Sequence, residues 1–148
     1  MGREIKFRAW HKRYKEMYEV TCIDWEAEFV WVKYYDDDRE EWFSREEHIA
    51  DLELMQYTGL KDNNGVEIYE GDILTSTEYP FQDEGEYAYH GIIEYDESSA
   101  AFLVVKRVVN PIKRGISDGI AEYFEEDYNF EIIGNIYGNP ELLQKEEK

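Results

Sequence analysis

The stretch "LMQYTGLKDNNGVEIYEGDIL", residues 54–74, confines the chain to β structure more tightly than any other segment. Short runs of alternating apolar and polar residues are separated by Asn64-Gly65 and by Gly71-Asp72. A period of two puts every second side chain on one face of a strand. Asn-Gly supplies the positive φ angles of a tight hairpin, Gly71 permits a second reversal, and Asp72 is placed to bond local N–H groups. The segment therefore reads as strand, turn, strand, turn, strand, with Gly59, Gly65 and Gly71 as punctuation. Turn chemistry explains everything in it except Tyr57 and Thr58, which makes that pair a candidate for function.

Similar runs precede it. In "EIKFRAW", Ile5, Phe7 and Ala9 fall on one face and Lys6, Arg8 and Trp10 on the other, so Trp10 is either a lid over the core edge or part of a contact surface. "MYEVTCIDW" and "EFVWVKYY" are rich in β-branched and aromatic residues and read as two strands, with Cys22 buried in the first. Phe29/Trp31 and Val30/Val32 are both apolar pairs, which predicts that both faces of the second strand are covered. "DDDREE", residues 36–41, reads as an exposed loop, and no later ligand completes a calcium site there. Ser44 followed three residues on by Glu47 is a capping box, which predicts a short helix before the strand "LELMQY".

After residue 75, "STEYPFQDEGEYAY" reads as an exposed polar and aromatic loop. "HGIIEYD" and "AAFLVVKRV" read as two strands turned by "ESS", and Ser117 as the cap of a short helix. "FEIIGNIY" reads as a last strand, and Asn139-Pro140 as the start of a C-terminal helix. The absence of a Pro/Gly/Ser-rich linker, with halves too small to hold large separate cores, predicts two subdomains packed as one unit, 1–56 and 57–148.

A formal charge of −19, from 35 acidic against 16 basic residues, opposes binding of the chain as a whole to a polyanion. Residues 3–15 run against this balance: Arg3, Lys6, Arg8, Lys12, Arg13 and Lys15 face only Glu4 among the acids. That stretch either pairs with the protein's own acidic surface or makes a local anion contact. One cysteine allows no intrachain disulfide, and no run is long or apolar enough for an export signal or a bilayer span. These features predict a soluble protein of a reducing, cytoplasmic compartment. His11, His48 and His90 are scattered and no nucleotide or hydrolase motif occurs, so no catalytic, cofactor-binding or metal-ligating residue is assigned.

"REIKFRAW", "MYEV", the 54–74 stretch and "IIGNIYGNPELL" together resemble the YopX family of phage and prophage proteins, in the family's order and over nearly the whole chain. The resemblance implies a mainly β fold, with N-terminal antiparallel strands packed on a small SH3-like β-barrel from about residue 57 to 137, and short helices. It implies no catalytic residue, because the family supplies none. The expected function is a non-enzymatic protein-interaction module of a phage or prophage, acting on a host or phage protein in the bacterial cytoplasm, with homo-oligomers an additional expectation. A DNA mimic built on the acidic surface is one alternative, and nucleic-acid binding through the basic N-terminal strand another. The expected contact surface is Arg3, Lys6, Arg8, Trp10, Tyr57 and Thr58. Trp10, Tyr87 and Tyr89 are the aromatics expected to be exposed, and Tyr and Trp favour interfaces.

Overall fold

Four hairpins share one turn design in the computed structural model, and that design sets the register of most of the molecule. Strand β1 (Phe7–His11) turns into β2 (Glu16–Asp24), β2 into β3 (Phe29–Asp36), and β3 into β4 (Glu41–His48), each through a turn of four residues. The last residue of each turn, Lys15, Glu28 and Glu40, has φ between 53° and 61°. A non-glycine residue there is uncommon, and it is tolerated where a type I turn must be closed back onto the strand twist. The residue before each turn offers a side-chain acceptor to the turn's N–H groups. Asp24 accepts from Ala27 at 3.0 Å, and Asp36 accepts from Asp38 and Arg39 at 2.9 and 3.1 Å. His11 fills the same slot with its Nδ1, accepting from Arg13 and Tyr14 at 3.2 and 3.1 Å.

The structure describes residues 4–76, 82, 83, 86, 87, 89–108, 121–123 and 130–143. Two compact units divide it, Met1–Tyr57 and Thr58–Lys148. In the first unit the strands lie in the order β4-β3-β2-β1-β5, where β5 is Leu52–Lys61 and its end passes into the second unit. One face of this sheet is the core, built on Ala9, Tyr18, Val30, Val32 and Leu52, with Val20, Tyr34 and Leu54 packed against them.

Several sequence expectations are corrected here. Only one face of β3 is covered: Val30 and Val32 are fully buried, while Trp31 and Tyr35 are 41% and 45% exposed. Cys22 is exposed, because the β2–β3 register shifts between Val20 and Cys22. The extra residue reverses the alternation, so Ile23 rather than Cys22 meets the buried Val30. Ser44 caps no helix but lies inside β4 opposite Lys33. Pairing along all eight residues of β3 outweighs two local capping bonds. The helical turn comes later, as a 3-10 turn at Ile49–Asp51 capped by the His48 side chain. The acidic run 36–41 is a hairpin turn bounded by paired strand ends rather than a longer loop.

In the second unit β6 (Glu67–Tyr69) lies beside the end of β5. A second antiparallel sheet has the order β12-β11-β10-β7-β13, formed by β7 (Asp72–Ser76), β10 (Tyr89–Asp96), β11 (Ala101–Val108), β12 (Ala121–Tyr123) and β13 (Phe130–Asn135). Among the described residues no pairing joins β12 to β13, so the sheet is open. Its core is Ile68, Leu74, Ile93, Val104 and Phe130, each contributing about 2 kcal/mol by burial. The β10–β11 turn repeats the design of the first unit, with Ala100 at φ 52° and Asp96 accepting from Ser98 and Ser99. Those bonds hold the Asp96 carboxyl below the usual range.

Residues 82, 83, 86 and 87, inside the expected loop, form two short paired strands, β8 (Gln82–Asp83) and β9 (Glu86–Tyr87). The helix expected after Ser117 lies outside the described residues. Among the described residues the expected C-terminal helix is a 3-10 turn at Pro140–Leu143, and Asn139 turns its Oδ1 back to accept from Asn135 N–H at 3.2 Å. Gly134 is required beneath that clasp, because a Cβ there would lie 2.7 Å from the Asn139 oxygen. Gly59 is not a reversal: it sits inside β5 with φ 90°, a conformation any other residue adopts only with strain.

Asp62 ties the DNNG turn to β13. Its Oδ1 accepts from Asn64 and Val66, each at 2.9 Å, and its Oδ2 from Ile132 at 3.1 Å. Asp62→Ala leaves those donors unsatisfied around a buried site and is expected to cost about 3 kcal/mol. A urea unfolding curve checks this; an unchanged midpoint refutes the assignment.

Candidate functional site

The two faces of the first unit's sheet carry different chemistry. On the core face one cation is enclosed by tyrosines. The Arg45 guanidinium lies 4.9, 4.9 and 4.8 Å from the ring centroids of Tyr14, Tyr18 and Tyr34. Its Nη2 donates to the Tyr18 hydroxyl at 2.7 Å, and Tyr18 donates to Glu16 at 2.7 Å. The guanidinium also pairs with Glu47, whose other oxygen is 3.2 Å from His11 Nε2. Because His11 Nδ1 accepts two N–H groups, the ring proton sits on Nε2 and is donated to Glu47.

Burial pushes the Tyr18 phenol up to about 12, with the Glu16 hydrogen bond adding and the Arg45 charge opposing. Arg45 is itself raised: burial opposes its charge, but Tyr18 and Glu47 outweigh that. His11, Glu47, Arg45, Tyr18 and Glu16 are thus linked in one chain of contacts that stiffens the sheet.

On the opposite face the β3 and β4 side chains Trp31, Tyr35 and Trp42 are exposed. Strand register aligns Trp10 with Met17 and Tyr35 with Trp42. The β2–β3 pairing ends at Glu19 opposite Lys33, and Trp10, Met17, Tyr35 and Trp42 come together in a row across β1 to β4 as the lining of one cleft. Tyr35 and Trp42 are 45% and 59% exposed, their rings meeting edge to face at 5.3 Å. The neighbouring row is Arg8, Glu19 and Lys33, with the Lys33 ammonium 4.7 Å from the Trp42 ring centroid. A cleft of about 500 Å³ opens here, lined by Trp10, Met17, Tyr35 and Trp42, with Lys15, Glu19 and Lys33 among the charges.

The sequence-predicted residues divide. Lys6, Arg8, Trp10 and Tyr57 share this outer face through the β1–β5 register, continued one pair by the Tyr57 N–H donating to the Lys6 carbonyl at 2.9 Å. Lys6 sits 5.1 Å from the buried Tyr57 ring centroid and pairs with Glu4 at 3.3 Å. Thr58 is buried in the second unit, donating to the Ile68 carbonyl at 2.7 Å and accepting from Leu60 at 3.2 Å. Arg3 and the side chains of Tyr87 and Tyr89 lie outside the described residues. Tyr35 and Trp42 were missed by the sequence reading. Their signal was the mixed odd face of β3, Trp31-Lys33-Tyr35, where aromatics alternate in phase with a lysine.

The YopX protein family matches residues 6–144, and the chain belongs to that family. The crystal structure of protein EF1440 from Enterococcus faecalis is similar, with a TM-score of 0.61 and 26% identity over 97% of this chain and 100% of that one. Comparison with curated proteins gives no match. Among the described residues no helix is long and apolar enough to cross a membrane.

Tyr18 stays protonated to about 12 in the folded protein but ionises near its ordinary value of about 10 when unfolded. The stability this phenol contributes is therefore present below about pH 10 and lost as pH rises from there to about 12. Phenolate absorbance titration is expected to show a late-ionising tyrosine that Tyr18→Phe removes, together with that part of the alkaline loss of stability.

Proposed function

We propose that the chain is a non-enzymatic protein-interaction module, an accessory protein of phage or prophage that docks a partner protein on the outer face of its first unit. The observation that carries this reading is the exposed row ending in Tyr35 and Trp42. Large aromatics cost little conformational entropy to bury and supply much of the energy at protein interfaces. The second unit is read as an open relative of an SH3-like barrel that holds the family-specific turns.

Direct nucleic-acid binding is less well supported by the same face. Arg8 and Lys33 lie on it, but Glu19 stands between them in the register. A phosphate chain laid there meets one carboxylate for every two cations, on a protein of charge −19.

A photo-crosslinking amino acid at position 42, in the full chain expressed in a bacterial host, tests the reading. The expected result is a specific protein adduct from position 42 that is absent when the same group replaces Trp25, which is 63% exposed in the β2–β3 turn. Equal background from both positions refutes it.

A further inference from the structure

Asn64-Gly65 is the only place in the chain where glycine follows asparagine, and both residues are exposed in the turn between β5 and β6. That pair carries a chemistry of its own. The Gly65 backbone nitrogen can close a five-membered ring on the Asn64 side-chain carbonyl, and a residue without a Cβ leaves its approach uncrowded. As the ring closes, a bond forms from Gly65 N to Asn64 Cγ, the Cγ–Nδ2 bond breaks, and ammonia leaves with the proton that Gly65 N has given up. Water then opens the cyclic imide at one of its two carbonyls. One opening gives aspartate at position 64; the other gives isoaspartate, in which the main chain runs through Cγ and is one atom longer.

The folded turn opposes the first step. The Gly65 N–H donates to the Asp62 carbonyl at 3.0 Å, and of the residues at 63, 64 and 65 only Gly65 has a positive φ, at 82°. Such a bond over two residues of negative φ makes a type I turn, which holds ψ of Asn64 near about 0° and eclipses the Gly65 nitrogen with that of Asn64. Ring closure needs the Gly65 nitrogen eclipsed with Cβ, about a third of a turn away around the Cα–C bond. Rotation by that much pulls the turn off Asp62, whose carboxylate accepts from Asn64 and Val66, each at 2.9 Å, and whose carbonyl accepts from Gly65. Asp62 is itself anchored, its N–H donating to the Val66 carbonyl at 2.8 Å and its Oδ2 accepting from Ile132 at 3.1 Å. The rotation that the chemistry requires therefore breaks several bonds of the turn together.

We propose that Asn64 is a deamidation site that Asp62 keeps closed in the folded protein, so that the modification proceeds from the locally opened turn. The inference is independent of what the outer face of the first unit binds. Aspartate at 64 leaves the backbone unchanged and lets the turn close again. Isoaspartate does not, because the extra atom between Asp62 and Val66 puts their mutual hydrogen bonds out of step and loosens the tie to Ile132. An opening of this corner is thereby recorded in the covalent structure.

The test compares the full chain, folded at physiological temperature and mildly alkaline pH, with the same chain unfolded in guanidinium chloride. Peptide mapping by mass spectrometry reads acid in place of amide at 64, and enzymatic methylation of isoaspartate reads the branched product. The unfolded chain is expected to react faster at 64 than at any other asparagine, and the folded chain to react there about tenfold more slowly or less. Asp62→Ala is expected to raise the folded rate about tenfold. Asp62→Asn keeps an acceptor for Asn64 and Val66 but turns a donor toward Ile132, and is expected to raise the rate about threefold. Val104→Ala lowers stability through a cavity in the same unit's core and is expected to leave the rate near that of the wild type. Circular dichroism shows which variants are folded during incubation; where Asp62→Ala is not, Asp62→Asn decides.

The proposal is overturned if folded and unfolded wild type react at 64 at the same rate, or if residue 64 stays unmodified in both. It is equally overturned if no folded Asp62 variant reacts faster than wild type. Acceleration by Val104→Ala as large as that by the Asp62 variants also removes it, since global unfolding and not the Asp62 clasp would then control the site.

Discussion

Register is the constraint on which the rest of the first unit depends, and it is set at the turns. Each hairpin there is closed by a residue that enters the left-handed region and by an acceptor side chain standing just before the turn. A slip of one residue in any of these pairings would send Val30 and Val32 outward and Trp31 and Tyr35 into the core. The aromatic row exists only in the observed register, because each of its four members comes from a different strand. His11 shows how the design is shared between roles. Its Nδ1 does for the β1–β2 turn what Asp24 and Asp36 do for the next two, while its other nitrogen reaches Glu47 in the core-face cluster. An aspartate in that slot would cap the turn equally well but would set a second carboxylate against Glu47.

The two faces solve opposite problems. On the core face a half-buried cation must be compensated, and Arg45 is surrounded by three tyrosine rings and a carboxylate. Removing one partner from such a group leaves the others desolvated and unpaired, so the cluster acts as a unit. On the outer face apolar area must remain soluble. It does so by alternation of rows: the aromatic row lies beside Arg8, Glu19 and Lys33, whose charges keep the surface wet up to the edge of the rings.

Much of the architecture was legible in the sequence because it is local. The DNNG turn, the alternation of "EIKFRAW" and the strand ending at Asn135 depend on neighbours a few residues away, and the structure shows all three. Ser44 and Cys22 misled for a common reason. A capping box and an apolar setting are local signals, and each was overridden by strand pairing whose register is decided many residues distant. The candidate site was half legible. The shared face of Lys6, Arg8 and Trp10 follows from period two, but that Tyr35 and Trp42 continue the row from Trp10 requires the pairing of four strands. The most specific stretch of the sequence, 54–74, proved to be about construction. Thr58, Asp62 and Gly71 are spent on bonds to Ile68, Ile132 and Ile93 within the second unit.

Within the proposed docking role, the strong acidity of the chain adds what neither face explains alone. A row with Tyr35 and Trp42 exposed at its end could equally meet a second copy of the same protein. Two chains of −19 repel one another over roughly a Debye length of about 8 Å at physiological salt, and the repulsion is greatest where their surfaces approach. A basic partner experiences the opposite sign of the same field. If the outer face docks a partner as proposed, the charge that looks non-specific in composition would act as a filter on it, opposing a second copy and favouring partners that carry positive charge beside their apolar contacts.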